Sequence, residues 1–235
     1  MQNERKGILV AIEGGDASGK ATQTKFLKEE LGRLTGSEVS VFSFPRYGKT
    51  LSADLSREIT HGHFGDPLAL QSKIASLSFI LDRVAARDEL REALSRGHVI
   101  CDRYTPSNLV YQAAKFWGDL SAQDEFISWV ERLEYAECGL PEPDLVLFLD
   151  VSPRVARRLL NERGRQLDRH ESSALYQEKV HQTYLRLSEE RENWKTVSCL
   201  DGRGALRPPE DIQREIAEIV LNYYQLLLGE EEGGA

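Results

Sequence analysis

Apolar positions along the chain follow two rhythms, short runs that read as strands and longer stretches with helical spacing. The runs fall at Ile8 to Ile12, at Glu38 to Phe44, at His98 to Asp102, at Asp144 to Val151 and at Lys195 to Leu200. Leu145 to Leu149 is apolar without alternation, as in a strand buried on both faces of a parallel sheet. Residues 38 to 44 alternate through Val39 and Val41 and then slip to Phe42 and Phe44. Between the runs, Phe26, Leu27, Leu31 and Leu34 predict a helix over Ala21 to Leu34, and residues 51 to 62 predict a short one. A long helix is expected from Leu68 to about Leu94, another from about Ser121 to Glu137, and another through Tyr176, Val180, Tyr184 and Leu187. The last begins at Pro208, places Ile212, Ile216, Ile219, Tyr223 and Leu226 on one stripe, and is expected to stop at Gly229. Strands alternating with helices predict an α/β fold, a parallel sheet covered by helices on both faces. The expectation is one domain over residues 1–229, with residues 230–235 as a disordered acidic tail.

The first strand runs into Gly14-Gly15-Asp16-Ala17-Ser18-Gly19-Lys20, which has the G-x-x-x-x-G-K spacing of a phosphate-binding loop. Backbone N–H groups in such a loop wrap a polyphosphate while the lysine reaches its outer phosphates, and glycine leaves room for that approach. The helix that follows adds the positive end of its dipole. One position departs from the pattern. A hydroxyl residue that ligates Mg²⁺ normally follows the lysine, and here Ala21 stands in that place with Thr22 one residue later.

Composition narrows the alternatives. With 235 residues, 40% of them apolar, the chain can bury a full core without a second domain. A formal charge of −8 and the lack of a long basic block argue against nonspecific nucleic-acid binding. Neither a signal-peptide core nor a membrane span is legible, and the reading is cytoplasmic. Cys101, Cys138 and Cys199 lack metal-ligand spacing and read as reduced structural thiols.

Ligands of open α/β sheets bind outside the carboxyl ends of strands, which draws attention to charged residues at those ends. Arg46 follows the second strand in Phe44-Pro45-Arg46-Tyr47, and Asp102-Arg103-Tyr104 ends the third. Ser107, Asn108, Tyr111 and Gln112 follow on the first turns of a helix, where they read either as caps and turn residues or as groups facing a base edge. Phe79 and Arg83, four apart on a helix, offer a ring and a planar donor fork to one flat ligand, or else a core ring beside a surface charge. That long helix carries Ile74, Leu77, Phe79, Ile80, Leu81 and Val84 nearly all round, so one face packs on the sheet and another is available to a second subunit. Arg157, Arg158, Arg163, Arg165 and Arg169, with little balancing acid, suggest a lid at about residues 157–172 that closes over phosphates.

With these residues assembled, the chain resembles the thymidylate kinase family from about Gly7 to Tyr224. The resemblance rests on Glu13 to Asp16, Phe44 to Tyr47, Phe79 with Asp82-Arg83, and Asp102 to Tyr104 with Ser107-Asn108 and Tyr111-Gln112. The stretch from Gly139 to Val151 and the lid Arg163-Gly164-Arg165 with Leu167-Asp168-Arg169 complete it. The lid is similar to that of bacterial members with catalytic lid arginines, and Ala17 stands where the other subclass has a loop arginine. The resemblance implies a five-stranded P-loop nucleoside monophosphate kinase fold, a homodimer, and transfer of the γ-phosphoryl of MgATP to dTMP. It implies that Lys20 and the loop from Gly14 to Thr22 hold ATP. Arg46 and Arg103 would hold the acceptor phosphate in a site that also includes Phe44 and Tyr47. Phe79 would stack on thymine, and Arg83 with Asn108, Ser107 or Gln112 would meet the base edge. Tyr111 would sit near the sugar's 2′ position, Asp16 near the 3′-hydroxyl and the metal, and Asp102 in the metal's outer shell, while Arg163, Arg165 and Arg169 clamp the moving phosphoryl. Two other readings remain: a kinase of another deoxynucleotide or a deoxynucleoside, and a nucleotide-binding regulatory protein weakened in catalysis, as Ala21 suggests.

Overall fold

The computed structural model describes residues 7–162 and 173–233. Five parallel strands form one sheet in the order β2-β3-β1-β4-β5: β1 Leu9–Glu13, β2 Glu38–Ser43, β3 Gly97–Asp102, β4 Leu145–Asp150 and β5 Trp194–Ser198. The central strands are apolar on both sides because both sides are covered. Leu9, Ala11, Val99, Cys101, Val146 and Phe148 face one layer, while Ile8, Val10, Ile12, Ile100, Leu145 and Leu147 face the other. The first layer contains α4 (Arg87–Arg96), α5 (Thr105–Ala113), α6 (Leu120–Glu131) and α8 (Ala174–Glu190). The second contains α1 (Lys20–Thr35), α7 (Pro153–Glu162) and α9 (Pro209–Gly233). Two further helices, α2 (Leu51–His61) and α3 (Ser72–Val84), pack on each other, and α3 also packs on α5 and α6. Among the described residues no helix is long and apolar enough to cross a membrane.

Three expected boundaries differ. The helix expected from Leu68 to Leu94 is two, α3 and α4, separated at Ala85 and Ala86. Neither residue is a helix breaker. Tertiary packing makes the break, since Ala86 is fully buried and the redirected α4 seats Leu90, Ala93 and Leu94 in the core. The helix expected over Ser121 to Glu137 is α6 followed by a π-helical turn, Arg132–Glu137, which rotates Glu134 into the interior. The final helix continues past Gly229 to Gly233, so four of the six residues expected to be disordered are helical. A helix-interior glycine costs only about 1 kcal/mol relative to alanine, which is not enough to end a helix by itself.

Pairing places the functional ends of the strands together. Ile12 is opposite Asp102 in the β1–β3 pair, and Ser43 is opposite the same Asp102 in the β2–β3 pair, so the segments after β1, β2 and β3 leave the sheet side by side. At the opposite end of the sheet, Gly97 meets Glu38 so closely that an added Cβ would lie 2.2 Å from the Glu38 carbonyl oxygen. Gly97→Ala is therefore expected to force β2 and β3 apart and lower stability by about 1–3 kcal/mol, read from the urea midpoint. An unchanged midpoint would mean the strands part freely there.

Candidate active site

The loop after β1 turns on residues that tolerate unusual backbone. Gly14 has φ 146°, and a Cβ there would lie 2.9 Å from the Leu149 carbonyl oxygen and 2.8 Å from Ser18 Oγ. Gly19 has φ 90° and leads directly into α1, whose first N–H groups face the loop. Lys20, only 8% exposed, folds its ammonium back to donate to the carbonyls of Gly15 at 2.8 Å and Gly14 at 3.2 Å. Burial, together with the nearby Arg103 charge, pushes its pKa down to about 8, against the opposing pull of Asp16, Asp102 and Glu13.

Arg103 stands at the end of β3 with φ 63°, a conformation rare for a residue with a side chain and common at functional sites. Its N–H still donates to the Ile12 carbonyl at 3.1 Å, and its guanidinium donates to Asp16 Oδ1 at 2.7 Å, to the Gly14 carbonyl at 3.2 Å and to Ser107 Oγ at 3.1 Å. It also lies over the Tyr111 ring at 5.6 Å. Beneath this cluster sits Glu13, fully buried, which accepts from the Tyr104 N–H at 2.8 Å, from the Tyr184 hydroxyl at 2.9 Å and, in a very short bond, from Ser107. Burial raises its pKa, and the bond from Ser107 and the Arg103 charge oppose that shift.

One cavity of about 430 Å³ opens over these strand ends. The expected phosphate residues Asp16, Ala17, Gly19, Lys20, Ala21 and Thr22 line it, as do Asp102 and Arg103. The expected acceptor residues Phe44, Tyr47, Phe79 and Arg83 line it too, with Ser107, Asn108, Tyr111 and Gln112. Gly14, Gly15, Ser18 and Arg46 are not part of that lining. The first two offer their carbonyls to Lys20. Arg46 donates to Asp82 Oδ1 at 3.3 Å and to the Asp82 carbonyl at 3.1 Å, and reaches Glu89 at 3.4 Å. Arg163, Arg165 and Arg169 lie outside the described residues, while Arg157 and Arg158 are exposed on α7.

The profile of the thymidylate kinase family matches residues 12–216. The chain belongs to that family. The thymidylate kinase of Mycobacterium tuberculosis H37Rv is 37% identical over 188 residues, covering 77% of this chain and 86% of its own. That of Caenorhabditis elegans is 32% identical over 224 residues, covering 91% and 94%. Among solved structures, thymidylate kinase from Candida albicans superposes with a TM-score of 0.67 at 25% identity over 93% of this chain and 92% of that one.

Sequence reasoning gave no structural role to four residues that organise this thymidylate kinase site: Glu13 and Asp82, which it matched only as part of the family resemblance, and Glu134 and Tyr184. Asp82 accepts from the Arg46 N–H at 2.8 Å and the Thr50 hydroxyl at 2.6 Å, fixing the segment after β2. Glu134 pairs with Arg83 at 2.6 Å and 2.7 Å, and although burial works against the Arg83 charge, Glu134 outweighs it and raises the guanidinium pKa. Glu13 carried a signal, a carboxylate closing an otherwise apolar strand. Glu134 and Tyr184 are set by tertiary contacts to residues 26 to 171 positions away and had none.

The Lys20 shift predicts a proton linkage. A polyphosphate beside the ammonium restores its pKa toward the ordinary 10.5, so ATP binding takes up protons between about pH 8 and that value and weakens as pH rises above about 8. Calorimetric titration of the chain with ATP at about pH 8.5, in buffers of different ionisation heat, is expected to show this uptake, and Lys20→Met to lose it. Identical heats in all buffers would mean the lysine is already fully charged without nucleotide.

Proposed function

We propose that this chain transfers the γ-phosphoryl of ATP to dTMP, with the phosphate loop holding the donor and the Phe79–Arg83–Asn108–Gln112 side of the cavity holding the acceptor's base. The observation that carries this reading is the continuity of one cavity from Lys20 and Asp16 to Arg83, Asn108 and Gln112. Arg103, aimed at the loop between the two regions, is assigned to the acceptor phosphate, and Arg46 would join it by giving up its 3.4 Å contact with Glu89. Of the three polar candidates for the base edge, Ser107 already donates to Glu13 and accepts from Arg103, which favours Asn108 and Gln112. Tyr111, lining the cavity beside Arg103, is assigned to the sugar's 2′ side.

The chemistry needs positioning and positive charge more than a base. A phosphate monoester has its second pKa near ~6, so the attacking oxygen is already largely anionic at neutral pH. Lys20 and Arg103 supply fixed charge, and we assign Arg163, Arg165 and Arg169 to a lid that adds more and excludes water. The donor set also fits Mg²⁺. Among the described residues there is no group of three or more metal-binding side chains, but Asp16 and Asp102 face the cavity, and Mg²⁺ commonly takes one or two carboxylates beside phosphate oxygens and water. Asp16 and Asp102 would hold it, and when bound it neutralises charge on the phosphates. Water in place of a hydroxyl ligand makes Ala21 compatible with that role.

A steady-state panel of dTMP, dUMP, dGMP, dCMP and thymidine with MgATP tests the reading, with dTMP expected to give the highest kcat/KM. Lys20→Met, folded by calorimetry, is expected to lower kcat by about 10² or more. Preference for any other acceptor, or turnover unaffected by that substitution, would overturn it.

We propose a cytoplasmic homodimer as the working form. The support is an apolar stripe on α3, where Ile74, Leu77 and Leu81 are 56%, 40% and 55% exposed at helical spacing. A second copy of the same stripe covers it in a two-fold arrangement. Leu81→Glu is expected to shift sedimentation velocity from dimer to monomer; a monomeric wild type would remove the proposal.

A further inference from the structure

The base end of the cavity is organised by a residue that does not line it. Glu134, 0% exposed on the π-helical turn, accepts from Arg83 Nε at 2.7 Å and Nη2 at 2.6 Å, from the Thr105 hydroxyl at 2.7 Å and from Asn108 Nδ2 at 3.4 Å. Its own carbonyl is tied to the Leu140 N–H at 2.9 Å, which anchors the turn. A carboxylate paired with a guanidinium only accepts, so each neighbour must turn a donor toward it and show its other side elsewhere.

The consequences differ for the two neighbours that line the cavity. Arg83 spends Nε and one edge of Nη2 on Glu134, leaving Nη1, which is a donor and nothing else. Asn108, which lines the cavity, gives its amide nitrogen to Glu134 and so keeps its oxygen as the acceptor left over; that Oδ1 is buried and has no partner among the described residues. One turn further along α5, Gln112 Oε1 is also buried without a partner. The cavity end therefore offers a fixed donor, Arg83, beside an acceptor fixed by Glu134, Asn108 Oδ1. A pyrimidine with a 4-carbonyl and an N3–H matches that order. One with a 4-amino group and a bare N3 reverses it, setting donor against donor and acceptor against acceptor.

We propose that Glu134 is a positioning residue for base selection: by holding the donor and acceptor polarity of Arg83 and Asn108, it admits 4-keto pyrimidines and rejects 4-amino ones. This rests on the reading of the cavity end as the base subsite. Buried groups left mismatched are the strongest means a site has of rejecting an analogue. The charge of Glu134 matters here more than its shape.

Replacing it with glutamine keeps the shape and gives the side chain one donor and one acceptor. One Arg83 bond is retained, and the new NH₂ can donate to Asn108 Oδ1, which lets Asn108 turn its nitrogen to the cavity. The test is kcat/KM for dTMP and dCMP in the wild type, Glu134→Gln and Glu134→Asp. Glu134→Gln is expected to lower the dTMP/dCMP ratio at least tenfold, mainly through the KM for dTMP, with kcat within about threefold because the phosphate end is untouched. Glu134→Asp, still only an acceptor, is expected to keep the ratio while raising KM. A purely packing role predicts the reverse order, with the isosteric glutamine the milder change, and that result would overturn the proposal. If Glu134→Gln does not fold, Asn108→Leu serves instead. It is expected to cost dTMP more than tenfold relative to dCMP, and a loss shared equally would mean Asn108 does not read N3–H. A wild type with no preference for dTMP over dCMP would overturn the base-subsite reading itself, whereas a selective wild type with an unchanged Glu134→Gln ratio would remove only Glu134.

Discussion

A carboxylate buried where β1 ends is the constraint on which the site depends. Glu13 has no water to solvate it, so it must be met by donors, and the three that meet it come from different parts of the chain: the Tyr104 backbone, the Ser107 hydroxyl and the Tyr184 hydroxyl. That requirement joins the phosphate loop to the β3–α5 turn and to α8. It also explains how Arg103 is kept at a positive φ, since Tyr104 on one side is pinned to Glu13 while the Arg103 N–H continues the pairing with β1. Strain of about 1–3 kcal/mol persists only where neighbouring contacts over-determine it, and here they do.

The same logic of carboxylates meeting fixed donors recurs around the cavity. Asp82 holds the Arg46 segment, Asp16 holds the Arg103 guanidinium, and Glu134 holds Arg83. Each carboxylate takes up some of the donors of its arginine and leaves the rest directed. Removing one partner of the buried Arg83–Glu134 pair leaves an uncompensated buried charge, which costs far more than the net worth of the pair. Arrangement of this kind favours a unique geometry over extra stability, which suits a reaction accelerated by placement.

Much of this was legible in the chain because the relevant physics is local. An unbroken apolar run such as Leu145 to Leu149 can sit only between two covered faces, and Gly14, Gly19 and Lys20 must stand at their spacing for a loop to wrap a phosphate. Strand ends then located Arg103 and Asp102 by topology. What was not legible depends on partners distant in sequence. Ala85 and Ala86 are good helix formers, and only the buried seat of Ala86 breaks the helix there. Glu134 lies in a stretch, Arg132 to Glu137, that reads as the end of the helix begun at Ser121, and the π-helical offset turns it inward. Arg83 was expected on the ligand side of α3, where it does line the cavity, yet nothing near it announced the carboxylate 51 residues away.

The sheet divides the molecule into two apolar layers, and the two halves of the cavity are rooted in different ones. The helix that begins at Lys20 is packed in the layer of Leu27, Leu31, Ile212 and Ile216, whereas α5, with Asn108 and Gln112, is packed in the layer of Phe126, Val130 and Tyr184. Central strands one residue thick keep the layers from touching. Drift in the packing of the second group can therefore re-aim the groups around a base while the helix under the phosphate loop keeps its footing. The base side and the phosphate side of the site thus take their support from opposite faces of one sheet and meet at Glu13, where Ser107 of α5 is bonded to the end of β1.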